Sequence, residues 1–203
     1  MRIRVLLLAS IVLCALSAPS QQPKKGIEAE GGDPDDRGSA RVLYWNDNAN
    51  AAAGQFAINY GRPVWKPVYE DKAKFDAMTK GKVWRLGSNF WTTLDTDLPI
   101  EISGRRVPVG SYYLGLKRSA DGGKWSLAFI DIAPVRKAHI DAFQIEKARV
   151  SFEAPMNVDK SEAKADKLTI TLSYPKDNIK NVTMKVAWGT LALSAPVKVG
   201  LPE

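Results

Sequence analysis

The sequence predicts an all-β domain, mostly antiparallel, built as a β-sandwich or flattened barrel of about nine or ten strands with at most one or two short helices. Apolar and polar residues alternate with period two over 168–173 and over 182–188, as in strands with one buried face. Turn-forming residues separate these from many other short apolar segments. Helical patterns are confined to 71–78 and 135–143. The length of 203 residues, 45% of them hydrophobic, suits a single folded domain.

The first 20 residues have the layout of a secretory signal peptide. Arg2 and Arg4 precede an apolar run from Val5 to Leu13, and small residues follow it. This run is too short to span a bilayer comfortably, and no later segment reaches that length, so no transmembrane segment is expected after the signal. We therefore expect an exported protein, periplasmic or extracellular.

Cys14, the only cysteine, offers an alternative in which the N-terminus carries a lipid anchor. Signals for lipid attachment usually place a small residue before the cysteine, whereas this chain has Leu13 there. Cleavage after Ser17 or Ser20 is therefore the favoured interpretation. Without a second cysteine, the chain cannot form an internal disulfide.

Residues 21–40 are expected to form a flexible linker. They are rich in Gln, Pro, Gly, Lys and Asp and carry almost no large apolar side chain. Such a segment cannot bury enough surface to offset the entropy lost on ordering. The folded domain is therefore expected over residues 41–203.

Ten segments of this domain carry strand patterns. They are 55–60, 82–86, 92–95, 98–102, 112–116, 124–132, 148–152, 168–173, 182–188 and 191–199. The turn composition of Pro175–Asn178 predicts that 168–173 and 182–188 form an antiparallel hairpin. Pro196 has no N–H to donate, so the last strand is expected at a sheet edge or with a bulge.

Several short motifs in this domain carry a family resemblance. They are Ile58–Pro63, Gly81–Asn89, Thr92–Leu94, Val107–Tyr112 and Ala187–Thr190. In this ordered combination, from about Gln55 to Val199, the chain resembles an exported bacterial domain-of-unknown-function family, number 2911. The resemblance implies a compact β-sandwich-like domain in the cell envelope or outside the cell, and it implies no reaction. Phe90 and Trp91 stand where members often carry an acidic residue, so no acid or metal role transfers to this chain.

The residues that carry chemistry favour a non-catalytic protein without a cofactor. His139 is the only histidine and no cysteine lies outside the leader, which excludes multi-histidine or cysteine-based metal sites and a thiol nucleophile in the domain. Ser88 lacks the flanking glycines of a nucleophile elbow. The net charge of +7 comes from Lys and Arg spread along the chain, so no nucleic-acid footprint is indicated. A hydrolase-type enzyme with an unrecognised site is the alternative.

The segment 82–93 holds the predicted ligand-binding residues. In an extended strand Arg85, Asn89, Trp91 and Thr93 share one face, while Trp84 and Leu86 share the other. An envelope glycan or an anionic small ligand would suit the polar face, because Arg85 offers a planar fork of donors. A bulge at Gly87-Ser88 would reverse the faces beyond it.

Two structural alternatives stand beside this binding hypothesis. Arg85 could be covered by aromatic side chains and paired with Asp131, because buried charges persist mainly when they are paired. The aromatic residues between Tyr44 and Trp91 could fill the core rather than line a groove. The sequence thus predicts an exported ligand-binding or structural module of the cell envelope, and it leaves the oligomeric state open.

Overall fold

The structure, a computed structural model, describes residues 26–29, 31–160 and 163–202. The predicted signal peptide, including Cys14, lies outside these residues. The chain divides into two units, Met1–Pro34 and Asp35–Glu203, and the described residues of the first unit form neither helix nor strand. Among the described residues, no helix has the length and apolar character needed to cross a membrane.

Antiparallel strands dominate the second unit, as the sequence predicts. The twelve strands of the described residues are β1 (Arg37–Asn46), β2 (Ala51–Gly61), β3 (Val83–Arg85), β4 (Thr92–Thr96), β5 (Ile100–Ile102), β6 (Arg105–Val107), β7 (Gly110–Arg118), β8 (Trp125–Asp131), β9 (Val150–Val158), β10 (Ala165–Ser173), β11 (Asn181–Gly189) and β12 (Leu191–Val199). Each of the ten predicted segments overlaps one of them. The all-β prediction is confirmed, and β1 and β6 are the two additional strands.

The strands form two layers of a sandwich. The first layer has the order β1-β2-β4-β7-β8-β9, and the second contains β12, β11 and β10 with β5 and β6 beside β12. The layers join where β9 pairs with β12 at Leu193–Val158 and Ser194–Asn157. Pro196 does not lie on an edge strand, because β12 is flanked by β11 on one side and by β9 and β5 on the other. It lies where β12 changes partner from β9 to β5, so its missing N–H interrupts neither ladder.

The space between the layers is filled by the apolar face of each strand. In β11, for example, Val182, Met184, Val186 and Trp188 are all buried, which is the predicted period of two. Two of the four tryptophans of the aromatic-rich segment, Trp65 and Trp84, also belong to this core. The rings of Trp65 and Trp84 lie 4.8 Å and 4.9 Å from that of Trp188. Burying such side chains stabilises the fold by about 1.5–3 kcal/mol each.

Strand β1 begins at Arg37, four residues before the predicted start of the domain. The sequence gives little sign of this because Gly38, Ser39 and Ala40 carry small side chains. The structure shows why Gly38 is small: a Cβ there would lie 2.6 Å from Cζ of Tyr60. The Tyr60 hydroxyl donates to Ile170 O at 3.2 Å and accepts from Ile170 N at 2.9 Å, which ties the first layer to the second.

Two helices and two 3-10 turns complete the described fold. Helix α1 (Lys72–Thr79) is close to the prediction over 71–78 and begins with Asp71, which caps Ala73 N and Lys74 N. The predicted helix over 135–143 is instead a short α2 (Ile132–Lys137) and a 3-10 turn, Ala142–Lys147. His139, at φ +52°, breaks the helix between them. A further 3-10 turn spans Pro67–Tyr69.

Helix α2 and the turn Ala142–Lys147, hereafter the 142–147 turn, cover the outer face of the first layer. Val135 from α2 and Ile145 from the turn are buried against Tyr113 of β7 and Ile130 of β8. This second apolar cluster is separate from the core between the layers. It fixes the turn above β3 and β7, where the predicted ligand-binding residues lie.

Candidate functional site

Strands β3 and β4 occupy successive positions along the same neighbour, β7. Arg85 at the end of β3 pairs with Gly115, and Thr92 at the start of β4 pairs with the adjacent Leu114. The six residues between them, Leu86–Trp91, therefore leave the sheet as a loop, called here the 86–91 loop. Arg85 and Thr93 nevertheless both project from the outer face, while Leu86 is completely buried on the core side.

Backbone contacts fix the conformation of the 86–91 loop. The Thr92 hydroxyl donates to Leu86 O across the base of the loop. Gly87 has φ +129°, a value that strongly favours glycine. The loop also packs closely on β2, because a Cβ on Gly61 would lie 2.1 Å from Ser88 O.

Asn89 lies at the tip of this loop in the left-handed region, with φ +60°. Its side-chain Nδ2 donates to Asp35 Oδ1 at 2.5 Å. Nearby, Arg37 Nη2 donates to Trp91 O at 3.3 Å, which joins the start of β1 to the same loop. The Asn89 amide is thus engaged in a contact that orders the loop.

Arg85 is half-buried and has only weak partners. Its Nη1 donates to Asn89 O at 3.4 Å, and its Cζ lies 6.0 Å from the centre of the Phe143 ring. Within the described residues, no carboxylate lies within 4.0 Å of its guanidinium nitrogens. The structure therefore does not form the alternative pair of Arg85 with Asp131, which is exposed at the end of β8. Most of the guanidinium donors remain available to a ligand.

A cleft of about 680 Å³, called here the Arg85 cleft, opens between β3 and the 142–147 turn. Its walls include Lys82, Arg85, Phe143, Ile145 and Glu146. Phe143 is 79% exposed, so its ring is accessible from solvent.

Gly115 of β7 allows the 142–147 turn to pack down beside this cleft. A Cβ on Gly115 would lie 2.8 Å from Ile145 Cδ1 and 3.0 Å from Val83 Cγ1. Any larger residue would push the turn away from the sheet or displace β3. The glycine thereby sets the distance between Arg85 on the strand and Phe143 on the turn.

The other predicted residues lie in separate places on the same face. The Trp91 ring is stacked on the Tyr113 ring, with 4.6 Å between the ring centres, and its Nε1 donates to Ile140 O at 3.3 Å. Trp91 therefore packs against the segment that follows α2. It borders a depression of about 360 Å³ that also includes His139. Thr93 lines a third cleft, of about 630 Å³, with Asp95, Ser111, Asp131 and Arg136. Of the four predicted residues, only Arg85 lines the cleft of about 680 Å³.

Groups with strongly shifted pKa values serve the scaffold. Hydrogen bonds from Lys80 and Arg118 lower the pKa of Asp76 to about 2 and attach α1 to β7. Burial raises the pKa of Tyr44 to about 12. No group of three or more His, Cys, Asp or Glu side chains in the described ranges could hold a metal ion.

The profile of a family described as "Protein of unknown function (DUF2911)" matches residues 46–197. The chain belongs to this family. The match runs from the end of β1 into β12 and includes Arg85 and the 142–147 turn, which confirms the predicted family. No curated protein and no solved structure matches the chain. Because the description of the DUF2911 family names no activity, the functional argument rests on the geometry of the site.

Sequence reasoning missed Lys82, Gly115 and Phe143 as parts of the site. The signal for Gly115 is present, since a glycine within a strand often marks a close approach of another chain segment. Phe143 lies in a stretch of mixed polar and apolar residues, and no local pattern reveals that it lies opposite Arg85. The cleft depends on a contact between segments that are about 60 residues apart in the sequence.

Proposed function

We propose that this DUF2911 chain is an exported, non-catalytic domain of the cell envelope that binds an acidic glycan or a similar anionic ligand in the Arg85 cleft. The observation that carries the proposal is a half-buried guanidinium, without a carboxylate partner among the described residues, at the wall of a cleft large enough for a ligand. Ligand sites of small molecules typically enclose about 300–1,000 Å³.

The cleft offers complementary groups to such a ligand. Arg85 presents parallel N–H donors that match the two oxygens of a carboxylate or phosphate group. Lys82 adds a second positive charge at the same wall. The exposed ring of Phe143 suits the apolar face of a sugar ring, so an acidic sugar would use both features.

Export to the envelope is supported by the sequence of the leader and by the family resemblance. The mature chain is expected to start between Ala18 and Gln21. Mass spectrometry of the protein extracted from cell envelopes would test this. A lipid-modified Cys14 or an intact Met1 at the N-terminus would contradict it.

A hydrolase is the second candidate, because one observation favours it. In the cleft that contains Thr93, Ser111 Oγ donates to Asp95 Oδ1 at 2.5 Å, which places a hydroxyl nucleophile beside a carboxylate. Turnover of ester or glycoside substrates that is abolished in Ser111→Ala would support this candidate over simple binding.

The binding proposal is tested by retention on a glycan array that contains acidic polysaccharides such as polygalacturonate and alginate. Arg85→Met keeps the aliphatic stem and removes the charge, and Arg106→Met is the matched control at an exposed residue of β6. We expect Arg85→Met to weaken retention at least about tenfold, equivalent to about 1.4 kcal/mol, with a nearly unchanged melting temperature. Arg106→Met should bind as the wild type does.

Phe143→Ala provides an independent check, because its exposed side chain contributes little to folding. It should also weaken retention. If the wild type binds no acidic glycan, or if both Arg85→Met and Phe143→Ala bind normally, the proposal is wrong. A large fall in the melting temperature of Arg85→Met would instead assign Arg85 to holding the 86–91 loop.

A further inference from the structure

We propose a second ligand site, for a neutral oligosaccharide, in a cleft of about 480 Å³ beside the hairpin of β1 and β2. One wall is formed by the end of β1 and its turn and the other by the connection between β10 and β11, and Leu201 and Pro202 complete the lining. We call it the Trp45 cleft. It is distinct from the Arg85 cleft and shares no residue with it.

Exposed apolar side chains are concentrated in this cleft. Trp45 is 53% exposed and Tyr174 is 46% exposed, and each comes from a different wall. Leu43 and Ile179 border the same space and are also exposed. In the described part of the chain, neither the Trp45 ring nor the Tyr174 ring packs against another aromatic ring. About half of each side chain is accessible to a ligand, and grouped exposure of this kind is typical of a binding surface.

A hydrogen bond between the two walls holds the cleft in a fixed form. The Tyr44 side chain turns into the core, and its hydroxyl donates to Ile179 O at 2.9 Å. Burial raises the pKa of Tyr44 to about 12, so the hydroxyl keeps its proton at neutral pH. Beyond it, the pairing of β1 with β2 shifts register between Tyr44 and Trp45. A preformed cleft costs a ligand less ordering entropy than a mobile one.

The polar groups around the aromatic rings favour a sugar. Asp47 and Asn48 lie on the turn at the rim, and their side chains have no partner among the described residues. Carboxylate and amide groups of this kind hydrogen-bond to sugar hydroxyls, while aromatic faces contact the apolar face of the ring. No Lys or Arg among the residues that the structure describes lines the cleft, so an anionic ligand is disfavoured. This distinguishes the Trp45 cleft from the Arg85 cleft.

The test measures the binding of three neutral probes, maltotetraose, cellotetraose and N-acetylchitotetraose, by isothermal titration and by NMR shift changes. We expect at least one to bind the wild type, with shifts confined to the β1–β2 hairpin, the connection after β10 and the residues around Leu201. Trp45→Ala and Tyr174→Ala should each weaken that binding about tenfold or more. Phe90→Ala, which removes a comparably exposed aromatic ring from the 86–91 loop, should leave it unchanged.

Three outcomes would overturn the proposal. They are no binding of any probe up to about 10 mM, equal binding by Trp45→Ala and the wild type, or preferential binding of decanoate, which would assign the cleft to an acyl chain. Each variant is checked by its melting temperature, so that a folding defect is not mistaken for a lost contact. Loss of acidic-glycan binding in Arg85→Met would not affect this result, because the two sites share no residue.

Discussion

The Arg85 cleft is tested most directly at the contact between Gly115 and Ile145, because this contact sets the position of the 142–147 turn. Ile145→Val removes only the Cδ1 methyl group, and Gly115→Ala adds only a Cβ. That Cβ would lie 2.8 Å from the methyl group that Ile145→Val removes. The two changes are therefore expected to compensate for one another.

The size of each effect follows from the local packing. Ile145 is buried at the edge of the outer cluster, so Ile145→Val should cost about 1 kcal/mol of unfolding free energy. Gly115→Ala should cost about 1–2 kcal/mol, because the overpacking penalty is partly offset by the lower entropy of the unfolded chain. Without coupling, the double variant would lose about 2–3 kcal/mol. We expect the double variant to be about 1 kcal/mol more stable than this sum predicts, because it lacks the Cδ1 methyl group that the new Cβ would contact most closely.

Full recovery is not expected. The new Cβ would still lie 3.0 Å from Val83 Cγ1 and 3.2 Å from Trp84 O, and the latter belongs to the backbone. Urea unfolding of the four proteins, followed by tryptophan fluorescence, measures the coupling directly. If the losses of unfolding free energy in the two single variants add up to the loss in the double variant within about 0.5 kcal/mol, the turn does not rest on Gly115 and the cleft is not formed as described.

Three further predictions concern the scaffold. The pKa of Asp76 is lowered to about 2 in the folded protein, from an ordinary value of 3.8. The stability that the ionised Asp76 contributes is therefore present above pH 3.8 and is lost as the pH falls towards 2. The melting temperature of Asp76→Asn should lack this pH dependence. Gly189→Ala should lower the unfolding free energy, measured in urea, by about 2–4 kcal/mol. The reason is that Gly189 has φ +57° and that a Cβ there would lie 2.0 Å from Trp65 Cδ2. A variant as stable as the wild type would contradict the aromatic packing. Deletion of residues 21–34 should leave the melting temperature nearly unchanged, whereas deletion through Ala40 should lower it, because β1 begins at Arg37.

The fold class could be predicted from local patterns because each central strand has one buried face. Val182, Met184, Val186 and Trp188 show this clearly. Strand β6 (Arg105–Val107) escaped prediction, since it contains only one apolar residue and forms only with β5. Strand β1 escaped because Gly38, Ser39 and Ala40 near its start are small, although Val42 and Tyr44 carry the alternation.

The site was only partly predictable, for a different physical reason. The alternation around Arg85 correctly indicates that Trp84 and Leu86 turn towards the core. It cannot show that Arg85 and Thr92 pair with adjacent residues of β7, because that register depends on a distant strand. The same limit applies to Phe143, which reaches the cleft only through the packing of Ile145 on β7.

The phenol groups of Tyr44 and Tyr60 have a consequence for where this domain can fold. Both belong to the first hairpin. Tyr60 hydrogen-bonds to the backbone of β10, and Tyr44 to the backbone of the connection after β10. They therefore join the hairpin to the second layer without a disulfide bond. Small exported domains often depend on disulfides and on an oxidising compartment. Since the only cysteine lies at position 14, the described domain has no such dependence. A leaderless form produced in a reducing cytoplasm should reach the same folded state and melt at the same temperature with or without reductant.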